Sequence, residues 1–300
     1  MNTIGVDFGG TKIEAAALDG EGRFLARLRE PNPGTYETAL AAVARLVQAA
    51  ERASGPVRTV GVGAPGSLSP RTGLVRNANS TWLNDRPLLQ DLERTLQRPV
   101  RLANDANCLA LSEAVDGAAA GGGVVFAAIL GTGCGGGVAV GGRLVEGLNG
   151  VAGEWGHTPL PWGANGEHPG PACWCGRRGC LERWISGTGF ADDYAAATGR
   201  PTPGPEIVAR MRAGEPEAGA AFDRYVGRLG RGLAVIADIL DPDVMVLAGG
   251  MSNTEALYER VPPVTAERAF SDQFTTPIVK AAHGDSSGVR GAAWLWPLEP

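Results

Sequence analysis

Residues 3–25 read TIGVDFGGTKIEAAALDGEGRFL, and residues 124–147 read VVFAAILGTGCGGGVAVGGRLVEG. Both run apolar strand, glycine turn, apolar strand, small glycine turn, strand. In the first, Ile4 and Val6, then Ile13 and Ala15, then Phe24 and Leu28 alternate with other residues around turns at Phe8-Gly9-Gly10 and Asp19-Gly20-Glu21-Gly22. A period of two marks antiparallel strands, and no helical pattern follows the first glycine pair. The same unit, met again about half a chain later, predicts a duplicated domain whose halves each open on a glycine-tipped hairpin.

Outward from these hairpins the pattern alternates. A helix is expected over 35–53, with Leu40, Val43, Leu46, Val47 and Ala50 on one stripe. Then come a strand near 57–62, a long loop, a short helix opened by Pro87, a strand over 99–103 and a helix over 107–119. After the second hairpin lies a loop-rich stretch, then helices up to Leu240, a buried strand DVMVLAGG at 243–250, another helix, a strand near Ile278 and a last helix over 289–296. Strands alternating with helices place the chain in the α/β class.

At 300 residues the chain has room for about two domains and a sizeable core. Its net charge of -5 is spread without a block of one sign, which argues against nucleic acid or a membrane surface as partner. No basic stretch followed by an apolar run opens the chain, and no apolar segment is long enough for a membrane span, so a soluble, cytoplasmic protein is expected. Five cysteines, an odd number, argue against a disulfide framework.

Asp7-Phe8-Gly9-Gly10-Thr11-Lys12 lacks the P-loop spacing and the dinucleotide fingerprint. It reads either as an ordinary turn or as a tight hairpin whose glycines permit positive φ and turn backbone N–H groups toward an anion. Lys12 is one of two lysines, and Asp7 could hold a hydrated Mg²⁺. Gly131-Thr132-Gly133-Cys134-Gly135-Gly136-Gly137 costs too much backbone entropy to be strand filler. A third glycine-ended strand, at Gly249-Gly250, offers backbone to something flat, such as an adenine above phosphates clamped by the two hairpins.

Asp105, at a strand end and helix start, reads either as a helix N-cap or as a general base, with Asn104 beside it suited to a polyol. Glu154 and His157 are three apart and can share a turn. His157, Cys173, Cys175 and Cys180 supply a Cys₃His set, with Gly176 and Gly179 as turns, and point to zinc. Four protein ligands leave no open position, so the metal is expected to be structural and to aim Glu182, two residues past the last thiolate, beside Glu154.

With these residues assembled, the chain resembles the ROK family of bacterial sugar kinases, members of the actin-like, hexokinase-like ATPase superfamily. DFGGTK, LGTGCGGGVAVGGRLVEGLNGVAGEWGH and CWCGRRGCLE carry the resemblance over essentially the whole chain. RNANSTWLN, LANDANCLALSEAVDGAA, ISGTGFA and GDSSGVRGAAWLW make it most similar to the fructokinases of the family that also act on mannose. The resemblance implies two duplicated α/β domains around a cleft: a smaller one over 1–115, with a C-terminal helix in 286–300 packing back on it, and a larger one over 116–285. It implies Asp105 as the base that takes the sugar hydroxyl proton, and Gly66, Asn79, Asn104, Glu154, His157 and Glu182 as sugar contacts. Asp7, Gly9, Gly10, Thr11, Lys12, Gly131, Thr132, Gly133, Gly135 and Gly136 would surround ATP phosphates and Mg²⁺, with Gly249 and Gly250 under the adenosine. The expected reaction is phosphorylation of fructose, and also mannose, by ATP, with glucose or an N-acetylhexosamine as alternative acceptors, in a homodimer; a sugar-responsive repressor of the family is the disfavoured non-enzyme alternative, for want of a helix-turn-helix segment ahead of the first hairpin.

Overall fold

A computed structural model describes residues 2–78, 80–164 and 166–296. Two five-stranded sheets organise it. The first contains β1 (Thr3–Phe8), β2 (Lys12–Leu18), β3 (Phe24–Pro31), β4 (Val60–Gly63) and β7 (Val100–Ala103), in the order β3-β2-β1-β4-β7. The second contains β8 (Val124–Leu130), β9 (Cys134–Val140), β10 (Arg143–Leu144), β11 (Val244–Ala248) and β12 (Ile278–Lys280), in the order β10-β9-β8-β11-β12. In each sheet the third, second and first strands in chain order lead to the fourth and fifth, so the repeated hairpins seed the same topology twice. The chain is an α/β protein of the actin-like, hexokinase-like kind. A short hairpin of β5 (Ser67–Leu68) and β6 (Val75–Arg76) lies in the stretch expected to be a loop.

β1 pairs antiparallel with β2 and parallel with β4, and β4 pairs parallel with β7. Helices α1 (Tyr36–Ser54) and α2 (Leu88–Leu96) and α3 (Asp105–Val115) accompany this sheet. The stripe expected on α1 is buried at Val43, Leu46, Val47 and Ala50, against Ile4, Val6, Ile13 and Val60 of the sheet. Further along lie α4 (Glu182–Ile185), α5 (Gly187–Thr198), α6 (Gly204–Arg212), the long α7 (Pro216–Leu240) and α8 (Ala256–Arg268). Pro216 opens α7 where a missing N–H costs nothing, and Asp241 ends it in the left-handed conformation just before Pro242. A buried Arg228 on α7 is held by Glu167 at 2.8 Å and Asp193 at 2.7 Å, which offsets the cost of removing its charge from water and ties Glu167 and Asp193 to the helix.

The last helix, α9 (Ser287–Ala293), lies against β1, β4 and α3 at backbone distance. A Cβ at Gly5, Gly61 or Gly291 would overlap the backbone of Val289, Ala292 or Cys108 respectively, so the close packing depends on hydrogen at those Cα atoms. Its end is tied down by charge: Arg290 donates to the Gly22 carbonyl at 2.7 Å and to Asp116 at 2.6 Å, and His283 Nε2 meets Asp116 at 2.9 Å. Contacts divide the chain into two compact units, one of residues 1–121, 137–152 and 283–300, the other of 122–136 and 153–282. Among the described residues no helix is long and apolar enough to cross a membrane.

Candidate active site

In the first unit, β1 delivers Asp7 to its C-terminal end, and Gly9, Gly10 and Thr11 form the turn before Lys12 opens β2. Asn32 locks that turn: its side-chain amide donates to the Gly9 carbonyl at 2.7 Å and its backbone N–H to the Thr11 carbonyl at 2.9 Å. The expectation of positive φ at the hairpin glycines is overturned, since Gly9, Gly10, Gly131, Gly133, Gly135 and Gly136 all lie outside the left-handed region. Close neighbours favour glycine at several of these positions instead. A Cβ at Gly9 would lie 2.8 Å from the Lys12 carbonyl oxygen, one at Gly10 2.7 Å from Ser80 Oγ, and one at Gly133 2.8 Å from Glu182 Oε2.

The cap expected of Asp105 belongs to its neighbour. Asn104 is the N-cap of α3, its side-chain oxygen accepting from the Asn107 backbone N–H at 2.7 Å, while Asp105 is the first helical residue. Asp105 Oδ1 accepts from the Ala106 N–H at 2.8 Å. The side chain reaches solvent but is ringed by protein, and this desolvation raises its pKa above the ordinary aspartate value against the opposing pull of backbone N–H groups. Burial pushes the Cys108 thiol well up, and the negative charges of Asp7 and Asp105 raise it further. Space for Asp7 depends on Gly288, where a Cβ would sit 3.2 Å from its carboxylate.

A pocket in the same unit is lined by Gly66, Ser67, Val75, Leu102, Asn104 and Asn107, among others. Asn107 was not foreseen as a site residue, though its place three residues after the cap, on the same helical face, was visible in the sequence. Its side-chain oxygen is buried in the pocket wall with no hydrogen-bond partner, an acceptor suited to a hydroxyl or amide N–H. Asn79, expected to line the sugar side, lies outside the described residues.

In the second unit, Gly131, Thr132 and Gly133 form the turn between β8 and β9, and Gly135 and Gly136 lie on β9. The hairpin is held from three sides. Gly187 donates to the Gly131 carbonyl at 2.6 Å, the Trp155 indole donates to the Gly135 carbonyl at 2.9 Å, and the Cys134 N–H donates to Glu182 Oε2 at 2.9 Å. Gly249 takes φ of +84° and packs its Cα against the backbone of Leu130 and Gly131, whereas a Cβ at Gly250 would meet nothing within 4 Å.

Glu154 precedes a 3₁₀ turn, Trp155–His157, and its carbonyl accepts from the His157 N–H at 3.2 Å, which places both on one turn as expected. Burial raises the Cys134 thiol's pKa, and the negative charges of Glu182 and Glu154 raise it further. His157, Cys173, Cys175 and Cys180 offer ligand atoms that all lie within 4.8 Å of one another. His157 Nδ1 is 3.7 Å from Cys173 Sγ, and Cys175 and Cys180 are 3.6 Å apart at sulfur without a disulfide. Zn–S bonds of about 2.3 Å and a Zn–N bond of about 2.0 Å give tetrahedral edges of roughly 3.5–3.8 Å, so the set fits a closed zinc site. Burial and the neighbouring sulfurs push the Cys180 thiol up to about 12, a penalty that a divalent cation among thiolates removes.

The model of the ROK family matches residues 3–299. The N-acetyl-D-glucosamine kinase of Pectobacterium atrosepticum is 40% identical over 296 residues, 97% of each chain, and that of Photobacterium profundum is 41% identical over 97% of this chain and 98% of its own. The ROK hexokinase of Thermus thermophilus superposes with a TM-score of 0.89 at 35% identity, covering 98% of this chain and 97% of the other. A ROK family glucokinase from Streptomyces griseus, solved with glucose and AMPPNP, gives 0.78 at 30% identity and 98% coverage of both. With motifs, topology and relatives matching along its whole length, the chain belongs to the ROK family, among relatives that are sugar kinases.

Proposed function

We propose that the protein is an ATP-dependent hexose kinase whose preferred acceptor is N-acetyl-D-glucosamine. The observation that carries the acceptor is the end-to-end identity of about two residues in five with N-acetyl-D-glucosamine kinases from several genera. The narrower resemblance to fructokinases gains no support from these relatives, so fructose becomes a competitor in the test. The pocket beside Asn104 and Asn107 combines apolar walls at Val75 and Leu102 with an orphaned acceptor, a chemistry that suits an acetamido group as well as hydroxyls.

In this reading Asp105 accepts the proton of the attacking sugar hydroxyl. Its raised pKa makes it a stronger base than an ordinary aspartate, and Asn104 and Asn107 orient the sugar. Glu154, His157 and Glu182 contribute further sugar contacts, His157 through Nε2 because Nδ1 faces the sulfurs. Each glycine hairpin would supply backbone N–H groups to the triphosphate, with Lys12 adding charge and Asp7 as the carboxylate that would hold Mg²⁺, which neutralises phosphate charge when bound. Zinc, held by His157, Cys173, Cys175 and Cys180, supplies rigidity rather than chemistry. Phosphoryl transfer asks for positioning and charge neutralisation, which these groups provide.

A coupled ADP-release assay across N-acetylglucosamine, N-acetylmannosamine, glucose, mannose and fructose tests the reading. N-acetylglucosamine is expected to show the highest kcat/KM, by about tenfold or more, because an unpaired buried polar group penalises an analogue lacking its partner. A lead for fructose or glucose replaces the acceptor, and no turnover with any sugar overturns the kinase.

A further inference from the structure

Trp174 lies between two of the clustered cysteines and is 64% exposed, so burial of apolar area does not account for a tryptophan at this position. Its indole is nevertheless fully engaged. Nε1 donates to Glu182 Oε1 at 2.7 Å, and the ring stands edge-on to His157 with centroids 4.9 Å apart at 85°. The other oxygen of Glu182 accepts from the Cys134 N–H at 2.9 Å, in the turn-to-strand step of the glycine hairpin. A Cβ at Gly133 would lie 2.8 Å from Glu182 Oε2, so a side chain there would displace the carboxylate from this position.

From this chain of contacts we infer that Trp174 and Glu182 form a strut between the cysteine loop and the 131–136 hairpin. Trp174 is a positioning residue for Glu182, and Glu182 fixes the conformation of the hairpin that, on the function proposed above, meets the triphosphate. A carboxylate with a donor on each oxygen loses most of its rotational freedom, and charge-assisted hydrogen bonds are about twice as strong as neutral ones. The glutamate therefore carries the rigidity of the cysteine loop to a segment of glycines that has little of its own. The indole offers both an N–H to Glu182 and an edge contact to His157 from one exposed position.

Trp174→Phe keeps an aromatic ring beside His157 and deletes the N–H together with one ring of the indole. Hydrogen exchange by mass spectrometry of the full protein, at equal zinc content, is expected to show the 131–136 amides exchanging about 2- to 10-fold faster, the range that one hydrogen bond sustains. Unchanged exchange overturns the strut. Glu182→Gln, which places an amide N–H₂ or a weaker acceptor before one of the two donors, is expected to accelerate the same amides, so the inference stays testable should the tryptophan variant release zinc. Exchange reports on the strut even if no sugar is turned over, which separates it from the kinase reading. With turnover, Trp174→Phe is expected to raise the KM for ATP about three- to tenfold with kcat changed less. A defect in Trp174→Ala that Trp174→Phe fully rescues would assign the indole to packing on His157 and refute the hydrogen-bonded strut.

Discussion

Asp105 and Asn104 divide two tasks that one residue could not perform together. A capping carboxylate would spend its lone pairs on the helix N–H groups and be stabilised as an anion, which lowers its basicity. With Asn104 satisfying the Asn107 N–H, Asp105 is left with one contact to Ala106 and a pKa moved upward by desolvation. Asp105→Asn is expected to lower kcat by at least about 10²-fold while leaving folding intact, since general-base contributions run at about 10²–10⁴. The raised pKa also sets a sign. Activity needs the carboxylate, so kcat/KM should fall as pH is lowered, with the acid limb above the ordinary aspartate value, and this limb should vanish from the residual rate of the Asn variant. Wild-type turnover by Asp105→Asn in a rapid-quench assay removes Asp105 from the role.

At the scale of elements, α9 is held by shape as much as by apolar area. Gly291 meets the Cys108 carbonyl, and Gly61 and Gly5 admit the helix backbone, so a methyl group has no side chain to push aside. Gly291→Ala is expected to cost about 3 kcal/mol or more, the upper end of overpacking penalties, because the obstructing atoms are backbone. Gly219 on α7 makes the control. A Cβ there meets nothing within 4 Å, and Gly219→Ala should stabilise by about 0.5–1 kcal/mol through helix propensity. Urea denaturation of both variants compares them directly, and equal midpoints would refute the close-packing account of α9.

For the molecule as a whole, the cysteine loop is the part least able to hold itself. Among the described residues of 159–180 there is no helix and only the isolated bridges Pro159–Cys180 and Ala172–Arg178, so their order rests on the ligand set and on the Arg228 and Arg231 contacts of Glu167. Purified protein is expected to carry one zinc per chain, released by a chelator only on partial unfolding of the loop, since a structural site binds as it folds. The metal-free protein should lose sugar affinity by about tenfold or more while the amides of β1, β2 and β4 keep their protection. Unchanged sugar Kd in verified zinc-free protein contradicts the role given to the metal.

Periodicity and composition alone determined the α/β class, the two glycine hairpins, the stripe of α1 and the Cys₃His set, because each is written in local spacing: two for strands, about 3.6 for helices, and short gaps between soft ligands. The ends of helices were less legible. Asn104 and Asp105 are both good caps, and only the backbone at Asn104, extended at φ -77° and ψ 169°, decides between them. The hairpin glycines do not take the positive φ expected of them, and the nearness of Ser80 to Gly10 and of Glu182 to Gly133 arises from segments distant in the chain. Asn107, Trp174 and the bed of α9 belong to the same class. Their significance lies in partners tens to hundreds of residues away, and a residue's free energy there depends on what the completed fold brings within hydrogen-bond or van der Waals distance.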